Sequence, residues 1–450
     1  MTTAMLNRSR VFESKGHRAH LVTFDYNPDY STEIAALVDQ GRMSPGVKLV
    51  NIHEYYSSMN TLDRPIFQSP ERPAEDIQLG HTKDGYRLRE QFHSTGYKIR
   101  ELTIDRVSGK PLAERYFTPD GFCYLTTHLS LETGIPFALH LHFRDGSPTQ
   151  SFRNNRQWRI DWLNRLARQE TTMPVFICDG PGSAPTVMGM EEGLARRFYQ
   201  IHINHFLAPF EFGSPMKDDH RLIFSRMSDL DQVVVLTDQQ RDDIIADFGH
   251  GEKISVIPNF CDVGTVPSVE KKPHEVSMLV RFHPQKRVDD AIRAFALVKS
   301  RVPTAVLRVY GRGAEKKNYA SLISELGLGA HVFLEDYSTD SRRVLAASAC
   351  SLMTSTYEAF SLSIAESLSA GTPVVAFDCP YGPASLVDNG RNGFLIKDRD
   401  LSAFADAVVT LLNDPAGAAS LGREGRRMMV ENYNDDAIYQ QWSALMDSMS

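Results

Sequence analysis

In the second half of the chain, short apolar runs alternate with amphipathic segments, and this alternation limits the fold more than any other feature. Met278-Leu-Val, Ala305-Val-Leu-Arg-Val-Tyr, Val332-Phe-Leu-Glu, Ser351-Leu-Met and Val374-Val-Ala-Phe read as strands, with helices at 289–301, 401–412 and 435–449. Continuous apolar runs are buried on both faces, which places them in a parallel sheet covered by helices. The first half repeats the rhythm. Strands are expected at 18–26, 47–53, 138–143, 174–180, 199–206, 233–237 and 254–259, and helices at 1–15, 30–40 and 153–169. The expectation is an α/β protein of two doubly wound domains.

Between residues 80 and 136 the rhythm breaks. Runs beginning at Gly85, Lys98, Ala113 and Phe122 are short and rich in aromatic and β-branched residues, separated by turns such as Ser108-Gly109-Lys110 and Pro119-Asp120-Gly121. This is an antiparallel meander inserted into the first domain. The expected division is a first domain in two parts (1–79 and 137–263) around the insert (80–136). A linker (264–275), a second domain (276–425) and a closing helix (426–450) follow. The meander's edges make it a surface for homo-oligomerisation or acceptor docking, or a plain stabilising element. Its Arg87, Arg89, Lys98 and Arg100 would suit a polyanionic acceptor, although alternating charges on a solvated sheet face are ordinary. His140 and His142 share one strand face but have no carboxylate or thiol beside them, so no metal is assigned. Trp158, Trp162 and Leu166 form one stripe of the helix at 153–169, amid arginines. Docking on the sheet is the expected role, with a membrane surface as the alternative.

Composition excludes several classes. A net charge of −7 over 450 residues gives no general attraction to nucleic acid. No apolar run approaches the ~20 residues that span a bilayer, and the N-terminus lacks a signal-peptide pattern. The five cysteines are scattered, which reads as buried free thiols in the cytoplasm, with the inner face of the membrane as a site of peripheral association.

The chemistry concentrates in Ser355-Thr-Tyr-Glu-Ala-Phe-Ser-Leu-Ser-Ile-Ala-Glu, which reads as a loop entering a short helix that stops at Ala370-Gly-Thr-Pro. Glu358 lies before the helix and Glu366 within it, about 12 Å apart along a helix axis. They are too far apart to share a proton, yet able to hold opposite ends of an elongated polar ligand. Between them the backbone N–H groups of Phe360, Ser361 and Leu362 open a helix N-terminus, an anion site. Arg281 and Lys286 lie in one loop after the first strand of the second domain, placed to neutralise a departing diphosphate without a metal ion. Two solvated glutamates and a solvated cation pair are the bland alternative for each piece alone. The Asp229/Asp231 and Asp398/Asp400 pairs read as ordinary loop or helix-end residues. His202 and His205 are delivered to a strand's C-terminal end, where open α/β sheets bind ligands.

Arg281-x4-Lys286, Tyr310-Gly311-Arg312-Gly313, Glu358-x7-Glu366 with Gly371-Thr-Pro-Val-Val, and Asn389-Gly-Arg-Asn-Gly-Phe together resemble the family-4 retaining glycosyltransferases of two-Rossmann (GT-B) form, over essentially the whole chain. Asp378-Cys-Pro-Tyr-Gly-Pro and the meander resemble the subgroup that glycosylates wall teichoic acid, and its relatives that glycosylate serine-rich adhesins. The resemblance implies a UDP-sugar donor, no cofactor, and a polyol-phosphate polymer or a protein as acceptor. It implies that Arg281 and Lys286 hold the diphosphate, Gly311 lies in the donor site, and Tyr337 lies near the base. Glu358 would touch the transferred sugar, residues 360–362 bind phosphate, and Glu366 bind ribose. His205, in preference to His202, would sit at the reaction centre. Ala359 and Ser361 stand where many members have glycine. Members also carry a strand and a Gly-Gly loop before a helix like 1–15, so the expectation is either a domain without its first strand or a start that lies upstream.

The leading expectation is therefore transfer of glucose or N-acetylglucosamine from a UDP-sugar to a polyol-phosphate polymer. A transferase acting on a serine-rich protein or a glycolipid is the alternative within that chemistry. A nucleotide-sugar 2-epimerase would need no acceptor or meander. A catalytically silent partner subunit would be expected to lose some of Arg281, Lys286, Glu358 and Glu366, and all four are present.

Overall fold

The computed structural model of the protein describes residues 3–62, 78–81 and 86–449. Met1 and Gly85, at which two of the expected elements begin, lie outside the described residues. The chain forms two compact units, one chiefly Phe12–Phe176 with Ser183–Arg196, the other Thr2–Val11, Ile177–Gly182 and Arg197–Ser450.

The first unit contains a seven-stranded antiparallel sheet whose strands pair in chain order, from Gln78–His81 to Gln150–Phe152. Its middle strands, Arg87–Phe92, Lys98–Ile104, Pro111–Phe117 and Cys123–Leu129, are the expected meander. The sheet continues past residue 136. Pro136–Leu141, expected in the parallel sheet, pairs antiparallel with Cys123–Leu129, Leu125 opposite Leu141. The cause is local: the Gly134 N–H donates to the Ser130 carbonyl at 2.7 Å and closes a hairpin. The meander is also less basic than its cations suggest. Lys98 pairs with Glu90 and Glu101, and Arg100 with Glu114, so two of the four cations singled out there are matched by carboxylates. A separate pair of parallel strands, His20–Thr23 and Lys48–Asn51, leads into the helix Ile52–Asn60, whose first N–H groups the Asn51 side chain caps. Helix Asn155–Arg168 buries Trp158 and Trp162. Their rings meet His53 and Tyr56, and Phe24 and Tyr55, so the stripe is core.

The second unit holds the remaining parallel strands. Arg196–Gln200, Gln232–Val235 and Ile254–Val256 run side by side. A six-stranded parallel sheet follows, in the spatial order Val332–Glu335, Val306–Tyr310, Lys272–Leu279, Ser348–Met353, Val374–Asp378, Gly393–Lys397. Numbered along the chain that order is 3-2-1-4-5-6, the doubly wound arrangement. Its first strand begins at Lys272, inside the stretch read as linker. Winding reverses between Lys272–Leu279 and Ser348–Met353, so the loops leaving these two strands diverge and open a crevice.

Arg287 ties those two loops together. Its Nε donates to the Thr354 carbonyl at 2.8 Å and its Nη2 to the Ser355 carbonyl at 2.9 Å, while the guanidinium pairs with Asp398. Thr354 Oγ1 is 2.9 Å from the carbonyl oxygens of Lys286 and Arg287. The Thr356 N–H donates to the Gln285 carbonyl at 2.8 Å. Asp398 therefore has a structural task, and Asp400 caps the helix Leu401–Asn413 by accepting from the Ala403 N–H. Removing a buried charged partner costs about 3–5 kcal/mol because the other groups are left unsatisfied. Arg287→Ala is expected to lower stability in urea by about that amount. An unchanged midpoint would show that the strap carries little.

Candidate active site

The crevice at the switch point opens into a cavity of about 600 Å³ within the second unit, a size typical of small-ligand sites. Arg281, Lys286, Tyr337, Glu358, Phe360, Ser361, Leu362 and Glu366 all line it. Gly311 and His205 do not.

Each lining residue is placed by a short-range cause. Arg281 and Lys286 leave strand Lys272–Leu279, on a loop that packs directly on the next strand's exit. A Cβ on Gly311 would lie 1.8 Å from the Val280 carbonyl oxygen. Gly311 thus lets the two backbones touch and sets the height of Arg281, and donor contact is not what requires a glycine there. Arg312 and Tyr310, which flank it, do line the cavity. Lys286 Nζ donates to Glu358 Oε1 at 2.5 Å, and Ser355 Oγ donates to the same oxygen at 2.7 Å. The loop of Glu358 is braced by the segment after Val374–Asp378. The Glu358 N–H donates to the Pro380 carbonyl, and the Tyr381 N–H to the Glu358 carbonyl.

Helix Leu362–Ser369 begins at the cavity, with Ser361 as its N-cap at φ 71°. Its first-turn N–H groups have no carbonyl behind them, so they face the ligand space as donors. The left-handed φ at Ser361 explains a preference for glycine there, since a Cβ in this conformation costs about 1–2 kcal/mol.

Glu366 lies one turn further along the helix, where it lines the cavity and keeps part of its side chain exposed. Desolvation of its carboxyl by the surrounding protein pushes it up to about 7, only partly offset by the Arg342 guanidinium, with Asp262 adding to the rise. Arg342 itself is anchored on Asp262, 2.7 Å away.

The two histidines part company. Strand Arg196–Gln200 ends two residues before His202, which lines the cavity and contacts Asp179 through Nε2 at 2.7 Å. His205 is instead fully buried, its ring parallel to Tyr381 with centroids 5.8 Å apart. Burial, helped by His220 and Lys217, lowers its pKa to about 3 and keeps it neutral. The turn after the strand points only the first histidine at the cavity. Of the two histidines expected near the reaction centre, the structure thus places His202 at the cavity and His205, the one preferred from the sequence, away from it. The acidic partner that would have marked His202 is distant in sequence.

Two Rossmann-like parallel sheets, and a cation pair facing a helix N-terminus across the switch point of one of them, define a GT-B glycosyltransferase. Residues 266–428 match the family model described as glycosyl transferases group 1. A Staphylococcus aureus poly(ribitol-phosphate) alpha-N-acetylglucosaminyltransferase is 28% identical, covering 100% of this chain and 97% of its own. A Bacillus subtilis poly(glycerol-phosphate) alpha-glucosyltransferase is 21% identical, covering 100% and 73%. The crystal structure of TarM superposes with a TM-score of 0.85 at 26% identity, covering 99% of this chain and 95% of that one.

Because Glu366 titrates at a raised value, its ionisation weakens the free protein as pH rises from the unfolded carboxyl value towards and beyond 7. Glu366→Gln is expected to raise the melting temperature of the ligand-free protein at pH 8 by a modest amount, since the side chain keeps solvent contact, with the gap closing as pH falls from about 7 towards the unfolded carboxyl value. Equal melting temperatures of variant and wild type at pH 8 would contradict desolvation of the ionised carboxylate.

Proposed function

We propose that the protein is a retaining transferase that moves glucose or N-acetylglucosamine from a UDP-sugar onto a polyol-phosphate polymer. The observation that carries this reading is the meeting of Arg281, Lys286 and the N-terminus of Leu362–Ser369 around one cavity that Glu358 and Glu366 also line. Three sources of positive charge suit a diphosphate, and the two carboxylates suit hydroxyl groups on either side of it. The full-length likeness to two polyol-phosphate glycosyltransferases supports the acceptor class.

In this reading the acceptor hydroxyl approaches the anomeric carbon on the face from which the diphosphate leaves. The anomeric C–O bond breaks with its electron pair going to the diphosphate, where Arg281, Lys286 and the helix N–H groups stabilise the charge. The acceptor oxygen forms the new bond, and its proton passes to a diphosphate oxygen. Retention then needs no covalent protein intermediate. Glu358 would hold the transferred sugar, Glu366 the ribose, and Tyr337, which is 64% exposed, would cover the base. Nucleotide release should be measured across a panel of NDP-sugars with and without poly(ribitol-phosphate) or poly(glycerol-phosphate). UDP release from one sugar only with polymer supports the reading, and Lys286→Ala should then lower kcat by about 10²-fold or more. Release indifferent to polymer points to a protein or glycolipid acceptor, and silence across the panel to a non-catalytic partner subunit.

The same reading extends to a homo-oligomer built through the meander. Ile135 and Phe137 on its sixth strand and the preceding turn are 63% and 58% exposed, with Leu131 beside them. Such exposure of large apolar groups is characteristic of contact surfaces. Light scattering is expected to show an oligomer that Phe137→Arg converts to monomer. A monomeric wild-type protein at micromolar concentration would refute it.

A further inference from the structure

The cavity wall formed by the first parallel sheet carries a charged network that the sequence reading did not use. Arg8, from helix Thr3–Ser14, donates from Nη1 and Nη2 to the two carboxylate oxygens of Asp179, at 2.9 and 2.5 Å. It also donates to Gln200 Oε1 and stacks its guanidinium over Trp442, 5.7 Å from the ring centroid. Asp179 Oδ1 in turn meets His202 Nε2 at 2.7 Å. Side-chain exposures of 9% for Arg8, 13% for Asp179 and 17% for His202 place the network largely out of solvent. Burial by itself would raise the Asp179 carboxyl, but the Arg8 guanidinium and the hydrogen bond to His202 outweigh it and hold the group well below the usual carboxylate range.

An ionised carboxylate only accepts hydrogen bonds. His202 must therefore carry its proton on Nε2, and Nδ1 is left without a partner among the described residues, on a side chain that lines the cavity. We propose that Asp179, clamped by Arg8, is a positioning residue that locks His202 in the Nε2–H tautomer, so that Nδ1 accepts a hydrogen bond from a hydroxyl of the bound sugar. The sugar in this statement rests on the function proposed above, whereas the locked tautomer does not. Arg8 holds both oxygens of the Asp179 carboxylate, which fixes the direction from which that carboxylate meets the ring.

The first test needs no substrate. A long-range ¹H–¹⁵N spectrum of the histidine-labelled protein, with His202→Gln to assign the signal, is expected to show His202 as the Nε2–H tautomer. In Asp179→Ala it should become the mixed population of a free imidazole. An Nδ1–H tautomer in the wild-type protein, or a spectrum unmoved in Asp179→Ala, overturns the proposal. Arg8→Lys keeps a cation beside Asp179 and is expected to keep the tautomer, which guards against reading misfolding as a result. The second test uses kinetics. His202→Ala and Asp179→Ala should each lower kcat/KM by at least ~10-fold. The double variant should be no worse than His202→Ala, because both remove one interaction. Additive losses would show that Asp179 acts independently of His202. Locked tautomer with no turnover of any NDP-sugar would leave the positioning intact and reject the transferase.

Discussion

A parallel sheet ends in loops, and at its switch point two adjacent loops turn away from each other. Everything in the second unit's cavity depends on those loops being held face to face, and a buried guanidinium does it. Arg287 fills the carbonyls of Thr354 and Ser355 and pairs with Asp398. Desolvating a full charge is costly, and it is tolerable here because several of its donors find acceptors at ordinary distances. Lys286, the next residue back, is thereby fixed within 2.5 Å of Glu358 although 72 positions separate them.

A second constraint is closeness of backbones. Val280 against Gly311, and Phe360 against Gly382, approach so nearly that a Cβ at either glycine would overlap main-chain atoms, at 1.8 and 2.3 Å. Side chains cannot intervene at these points, so the loops behave as one layer. That layer presents cations from one strand exit and carboxylates from another at fixed separation, which is what preorganised stabilisation of a leaving group requires.

Much of this was legible in the chain because the decisive patterns are local. Arg281 and Lys286 lie within one loop, and Glu358, Ser361 and Glu366 within one loop-helix segment, so their relation to the sheet follows from strand and helix signals alone. His202 and His205 could not be separated that way. Three residues apart on one turn, they are distinguished by Asp179 on a neighbouring strand's exit and by Tyr381 far along the chain, which are tertiary facts. The extent of the meander was hidden for a related reason. Pro136–Leu141 has the composition of any half-buried strand, and only its partner decides the sheet to which it belongs. The charge balance of the meander was hidden likewise, because Glu90 and Glu114, partners of Lys98 and Arg100, lie on adjacent strands and only the register reveals those pairs.

The Lys286–Glu358 pair has a consequence for how the proposed reaction would end. In the structure the two groups form an ion pair, with Ser355 as a third member. On the proposed function, a nucleoside diphosphate alone would draw Lys286 towards phosphate and leave Glu358, at 12% side-chain exposure, with a carboxylate stripped of its cation. A sugar nucleotide would offer both a new partner at once: phosphate for the lysine, hydroxyl groups for the glutamate. The broken pair would then penalise the spent donor and not the loaded one, favouring discharge of the product once the sugar has gone.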